Sequence, residues 1–301
     1  MKKIVIAAGT GFLGQVLSNY FKAFTSEIVV LTRGKSQSKN GIQYVNWDAK
    51  NIDSWQNHLE NACLLINLAG KSVDCRYTEK NKKEILNSRI ESTNILNIAV
   101  LMCQFPPKHF INASTSTIYR HSLDKQMDEK TGEIGNDFSM NVAKKWEETF
   151  FKTNTPKTLK TAARISIVLG KNGGAFPILK RLAQLGFGGK NGKGNQFISW
   201  IHQDDFAKAI HHIYLKKLFG CINVVSPQPI ENKTFMKAIQ NQLHIPFAIP
   251  IPEILLKLGA KIIGTETELV LKSRNVIPTR LLETGFEYQY ERLNHAIKNI
   301  V

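Results

Sequence analysis

Apolar positions along the chain fall into short runs that alternate with helical stripes. Ile4, Val5 and Ile6 form a run that predicts a buried strand. Ala8, Gly9, Thr10 and Gly11 then turn the chain, Gly14 follows, and Val16, Leu17, Tyr20, Phe21 and Phe24 recur at helical spacing. Residues 28–32 predict a second strand, 41–47 a weaker one and 52–59 a short helix. The run Leu64-Leu65-Ile66 predicts another parallel strand, with Asn67 and Gly70 marking its carboxyl end. Residues 79–101 carry the longest helical pattern, with Leu86, Ile90, Thr93, Leu96 and Val100 stepping by three and four until Pro106 and Pro107 end it. A strand over 108–113, a helix over 138–151 with Val142, Trp146 and Phe150 on one side, and a sixth strand over 159–169, interrupted by Arg164, complete the pattern.

Strands alternating with helices predict an α/β fold built on a doubly wound parallel sheet. Its nucleotide-binding part is expected over 1–170, with return segments near 196–226. After Gly170 the texture changes. Seven glycines fall between 173 and 194, which reads as a mobile loop over a ligand or as a plain connection. The segment Ser199-Trp200-Ile201-His202-Gln203-Asp204-Asp205 precedes a helix that the aspartates are expected to cap. Residues 171–301 are expected to form a substrate-side lobe that ends in a small, mostly helical domain over about 246–295, with helices at 254–258 and 266–273.

The chain has 301 residues, 40 Lys+Arg and 24 Asp+Glu, for a net charge of +16. The basic residues are dispersed and no stacking motif accompanies them, so the reading is a lysine-rich surface without a nucleic-acid partner. Four cysteines without C-x-x-C spacing suggest free thiols in a reducing, cytoplasmic setting. No stretch approaches the roughly 20 apolar residues of a membrane span, so no membrane partner is expected. His202, His211 and His212 lack metal-ligand spacing, and no metal is expected.

Candidate chemistry gathers at the predicted carboxyl ends of the strands. The spacing Ala8-x-x-Gly11-x-x-Gly14 between strand and helix places small residues where a pyrophosphate meets a helix N-terminus. Arg33, just past the second strand, stands where a cation accommodates a 2′-phosphate, which favours NADP over NAD. The hydroxyl-rich run Ser114-Thr115-Ser116-Thr117-Ile118-Tyr119 follows another strand, where it either holds a substrate oxygen or caps its own backbone.

These features resemble the short-chain dehydrogenase/reductase superfamily, and more narrowly its atypical epimerase family, the nucleoside-diphosphate-sugar epimerases. The resemblance rests on Gly9-Thr10-Gly11-Phe12-Leu13-Gly14, Ile66-Asn67-Leu68-Ala69-Gly70, Glu84-Ile85-Leu86-Asn87-Ser88-Arg89, Phe187-Gly188-Gly189, Ser199-Trp200-Ile201-His202 and Arg280-Leu281-Leu282-Glu283-Thr284-Gly285-Phe286. It implies a Rossmann sheet and NADP, held by the six residues from Gly9 to Gly14. Thr32 and Arg33 would lie at the ribose phosphate, and Leu68, Ala69 and Gly70 beside the adenosine and pyrophosphate. Glu84 and Arg89 would reach the cofactor from the long helix.

Standard members carry a Tyr-x-x-x-Lys pair for proton transfer. Here Ser139 and Ala143 occupy those positions, Ala143 beside the expected cofactor, and no tyrosine lies four residues before Lys144. Tyr119, Ser114 and Thr115 are the remaining catalytic candidates, although a free tyrosine has a pKa near about 10 and nothing evident activates this one. Two functions follow from the resemblance. One is an NADP-dependent epimerase or oxidoreductase acting on a small-molecule alcohol or carbonyl such as a nucleotide sugar. The other is a non-catalytic NADP-binding protein with a redox-sensing or regulatory role.

Overall fold

The computed structural model describes residues 1–263 and 266–301, apart from the side chains at 260, 262, 263 and 269. In chain order the nucleotide-binding half comprises β1 (Lys3–Ala7), α1 (Phe12–Phe21), β2 (Glu27–Thr32), β3 (Gln37–Lys39), β4 (Ile42–Asn46), β5 (Leu64–Asn67), α2 (Glu79–Met102), β6 (His109–Thr115), α3 (Phe138–Lys152) and β7 (Leu159–Ile165). There follow β8 (Ile167–Gly170), β9 (Gly173–Gly174), α4 (Phe176–Leu182), β10 (Phe197–Ile198), β11 (Trp200–His202), α5 (Gln203–Leu215), β12 (Gly220–Val224) and β13 (Ile230–Glu231). The chain closes with α6 (Asn232–Gln242), α7 (Glu253–Ile263), α8 (Glu268–Leu271), α9 (Thr279–Glu283) and α10 (Leu293–Ile300).

The main sheet runs β12-β7-β6-β5-β1-β2-β4-β3 and is parallel except for the edge pair β3/β4. Strand order reverses between β1 and β5, and the crevice outside their carboxyl ends is where such sheets bind ligands. Both faces of the central strands are covered, so Ile4, Val5, Ile6 and Ala7 are all fully buried. One apolar cluster packs Ile4, Ile6 and Ile28 against Leu17, Phe21, Phe206 and Ile210 of α1 and α5. The other packs Val5, Val29 and Leu65 against Leu96, Val100 and Phe150 of α2 and α3. This two-sided burial is the reason these strands read as continuous apolar runs.

Several sequence-based expectations shift. Residues 159–169 form two strands rather than one. β7 stays in the main sheet with Arg164 inside it, and after Ser166 the chain leaves to pair β8 with β11 and β9. On α2 the buried side begins at Ile85, whereas Leu86 and Ile90 of the predicted stripe are only half-buried. α7 extends well beyond 254–258, whereas α8 is shorter than 266–273. The predicted aspartate cap of α5 is replaced by His202, whose Nδ1 accepts from the Asp204 amide at 3.2 Å. Asp205 is buried instead, accepting from the Gln289 and Tyr290 amides at 2.8 Å each, which ties the C-terminal segment to α5.

The glycine-rich segment is packed rather than loose. A Cβ on Gly170 or Gly173 would meet the Phe12 ring at 2.3 or 2.4 Å, and one on Gly189 would meet the Ile249 carbonyl oxygen at 2.3 Å. These glycines let backbone lie directly on its neighbours.

Candidate functional site

The corner between β1 and α1 is shaped by backbone proximity. Ala8 adopts φ 57°, a left-handed conformation that glycine takes without strain. A Cβ on Gly14 would stand 2.2 Å from the Gly9 carbonyl oxygen, so helix and turn touch only because neither has a side chain there. Gly11 differs: a Cβ there would meet no protein atom within 4 Å. Its bareness serves no packing contact and leaves room for a ligand. Gly11 is also the N-cap of α1 without a side-chain cap, so the first amides of the helix are open to an anion. Thr10 is exposed and Leu13 half-buried, while the Phe12 ring is clasped by the β8–β9 turn and thereby fixes the start of α1.

At the end of β2, Thr32 Oγ1 accepts from the Gly34 amide at 3.1 Å, and Asn46 Nδ2 donates to the Gly34 carbonyl at 2.9 Å. These bonds shape the turn that carries the exposed Arg33. Past β5, Leu68 is half-buried and Ala69 buried, with the Ala69 amide donating to Asn67 Oδ1 at 3.0 Å. The Arg89 guanidinium lies against Gly70, where a Cβ would meet its Cζ at 3.0 Å. Arg89 also donates to the Lys71 and Ile85 carbonyls at 3.0 and 2.9 Å and stacks 5.0 Å from the Trp146 ring. None of the ion pairs among the described residues involves Arg33 or Arg89. Burial without a carboxylate lowers the Arg89 pKa to about 10. Two cations without counter-ions and an uncapped helix N-terminus, arranged along one crevice, suit a dinucleotide bearing an extra phosphate. Glu84 does not join them: its carboxylate pairs with Lys71, which also donates to Asn81 at 2.9 Å.

The catalytic candidates read from the sequence are placed otherwise than expected. Tyr119 is 1% exposed, donates to Asn223 Oδ1 at 3.0 Å and accepts from Arg164 at 2.8 Å. Burial pushes its pKa up to about 12. Ser114 is buried and donates to Glu147 Oε1 at 2.6 Å, while Glu147 holds Arg164 through both carboxylate oxygens. These residues form an internal polar knot, and we do not carry Tyr119 or Ser114 forward as proton-transfer groups. Thr115 Oγ1 accepts from the Thr117 amide at 3.1 Å and shapes the turn after β6. Ala143 is also buried, against Ile118, Tyr119, Met127, Val225 and Val276, and presents almost no surface to a cofactor.

A polar cluster that sequence reasoning missed lies at the mouth of the crevice. Ser139, in the first turn of α3, hydrogen-bonds Glu268 of α8. Lys272 and Arg274 flank that carboxylate at 3.0 and 3.8 Å. Tyr77, from the loop between β5 and α2, packs edge-on against Phe138 at 4.8 Å, and its hydroxyl is enclosed without a partner. Burial and the nearby Glu268 raise the Tyr77 pKa to about 12, while Arg89 opposes the rise. Ser139 and Glu268 are 129 residues apart. Only the docking of the C-terminal segment onto α3 joins them, which is why no local pattern announced the pair.

Comparison with known proteins places the chain in a family. The profile of the NAD dependent epimerase/dehydratase family matches residues 4–144, and that of a domain of unknown function (DUF1731) matches residues 251–300. Epimerase family protein YfhF of Bacillus subtilis is 32% identical over 301 residues, covering 99% of this chain and 97% of its own. The chloroplastic SDR39U1 homolog of Arabidopsis thaliana is 30% identical over 307 residues, covering 99% and 86%. Among solved structures, human epimerase family protein SDR39U1 with NADPH superposes with a TM-score of 0.86 at 28% identity, covering 99% of this chain and 98% of that one. UDP-N-acetylglucosamine 4-epimerase from Bacillus cereus reaches a TM-score of 0.76 at 18% identity, a likeness of fold alone, covering 100% and 95%.

Proposed function

The chain belongs to the NAD-dependent epimerase/dehydratase family, and on that premise we propose that it binds NADP and interconverts an alcohol and a carbonyl on a small polar substrate. Epimerisation results when oxidation and reduction act on opposite faces of one molecule. The observation that carries this reading is Gly11 at the uncapped start of α1, where an added Cβ would meet no protein atom within 4 Å. The relative crystallised with NADPH supports the same cofactor. Arg33 would meet the 2′-phosphate, the α1 amides the pyrophosphate, and Arg89 the anionic charge deeper in the crevice.

Bound NADP supplies the hydride acceptor or donor. The protein supplies position and a proton path. We assign that path to Ser139 and Glu268. In the oxidative direction the substrate hydroxyl gives its proton to Ser139 Oγ, while Ser139 passes its own proton to the Glu268 carboxylate. Reduction runs the same transfers backwards. Lys272 and Arg274 flank the Glu268 carboxylate and hold it beside Ser139.

The test begins with a thermal-shift titration of NADPH against NADH, followed by NADP(H) turnover across nucleotide sugars and simple carbonyls. Turnover that Ser139→Ala abolishes supports the assignment. NADPH binding without turnover on any member of the panel supports instead a regulatory NADP-binding protein, a reading favoured by the burial of Tyr119.

A further inference from the structure

The C-terminal lobe carries an apolar face that stands exposed among the described residues. Backbone pairing joins its two parts: the Ile249 amide donates to the Gly186 carbonyl at 2.8 Å, and the Ile251 amide to Lys190 at 2.9 Å. Leu185 and Phe187 thus lie beside Phe247 and Ile249, and α7 begins directly after. Phe247 is 75% exposed, Ile254 73% and Leu185 63%. Among the residues of α7 whose burial is described, none is buried, although its sequence is Glu-Ile-Leu-Leu-Lys-Leu-Gly-Ala-Lys-Ile-Ile. An amphipathic helix normally folds by burying its apolar side. Here Ile254, Leu255 and Leu258 face outward. Contiguous exposure of this kind marks an interaction surface.

Charge identifies the occupant. Residues 171–203 contain five Lys or Arg and no Asp or Glu. Residues 244–263 contain Lys257, Lys261 and one acidic residue, Glu253, which pairs with Lys257 at 2.7 Å. Lys193 lies close enough to Glu253 to help lower its pKa, so the two segments form one electrostatic neighbourhood. A second copy of this chain would bring the same cations face to face and be repelled. Apolar side chains within segments that carry an excess of lysine match the boundary of an anionic bilayer, where the apolar side enters the acyl region and the cations meet the headgroups.

We propose that α7 and the Leu185–Ile249 face dock peripherally on an anionic lipid surface. No helix among the described residues is long and apolar enough to cross a membrane, so the contact is interfacial. The absence of a spanning segment, from which no membrane partner was expected, leaves this mode open. The proposal is independent of the cofactor.

Flotation of the full chain with lipid vesicles tests it. Phosphatidylcholine vesicles with phosphatidylglycerol at about one lipid in three are expected to carry the protein, at least about tenfold better than phosphatidylcholine alone and less well as salt rises. The double variant Ile254→Glu, Leu258→Glu alters only exposed positions, so it should keep the wild-type melting temperature and lose at least about tenfold of the flotation. Failure of wild-type protein to float with the anionic vesicles overturns the proposal, as does flotation that the double variant retains. A wild-type dimer in light scattering that the double variant dissolves, without lipid binding, assigns the face to a second copy and equally overturns it.

Discussion

Gly14 rests directly on the backbone of Gly9: a Cβ on Gly14 would stand 2.2 Å from the Gly9 carbonyl oxygen and 2.3 Å from its Cα. A Cβ on Gly11, three residues earlier, would touch nothing. The two glycines therefore have separable roles. Gly14→Ala should destabilise the fold by about 3 kcal/mol or more, since backbone must move to admit the methyl group. Gly11→Ala, at a φ of −76° that alanine adopts freely, should leave stability within about 0.5 kcal/mol. It should nonetheless weaken NADPH binding by about tenfold or more, because the methyl occupies the phosphate's approach. Urea unfolding and NADPH titration of both variants check this. Equal loss of stability in the two would contradict it.

Arg89 is held at a cost to the free protein. Burial without a carboxylate lowers its pKa to about 10, still above neutrality, so the charge persists in half-buried surroundings until an anion arrives. Arg89→Met keeps a flexible side chain against Trp146 and removes that charge. The expected result is an unchanged or slightly higher melting temperature without ligand and a stabilisation by NADPH smaller by about 1.4 kcal/mol or more. Thermal melts with and without NADPH read both quantities.

Ser139 and Glu268 offer a kinetic test once a substrate turns over. Ser139→Ala and Glu268→Gln should each lower kcat by about 10²- to 10⁴-fold with little change in NADPH affinity. The double variant should be no worse than either single one, as for two members of one relay. Additive losses would mean that they act separately.

His109 makes stability sensitive to acid. It is 1% exposed, and its Nε2 bonds Thr161 Oγ1 at 2.8 Å. Because the Thr161 hydroxyl donates to the Leu218 carbonyl, it accepts from His109, which fixes the proton on Nε2 and leaves Nδ1 bare and enclosed. Burial lowers the pKa to about 4, against about 6.5 in the unfolded chain. Between these values the unfolded state binds more protons, so stability falls as pH drops from about 6.5 towards about 4 and this contribution levels off below that. The slope due to this residue approaches about 1.4 kcal/mol per pH unit. Urea titrations from pH 7 to pH 4 should show it, and His109→Gln should flatten it.

The nucleotide-binding half was legible because its signals are local. Ile4 to Ile6 had to be a buried parallel strand, and glycines at 9 and 14 had to bring a helix onto it. The lobe was less legible because its determinants are contacts between distant segments. The glycines from 173 to 194 read as a mobile loop or a plain connection, whereas Gly173 and Gly189 bring backbone against Phe12 and Ile249. Tyr119 read as a free hydroxyl in a polar run, yet Arg164 and Asn223 reach it from β7 and β12 and enclose it. The Arg164 interruption, which looked like a flaw in a strand, is the partner of Glu147 across the sheet–helix boundary at 2.8 Å. Arginine between Ala163 and Ile165 was the one sequence signal of that knot.

The most direct test is a calorimetric titration of the purified chain with NADPH and NADH, repeated on Arg33→Ala. The account predicts one site that prefers NADPH by about tenfold or more, and loss of that preference without loss of NADH binding in the variant. No affinity for either dinucleotide, or an NADPH preference that survives the loss of Arg33, would contradict it.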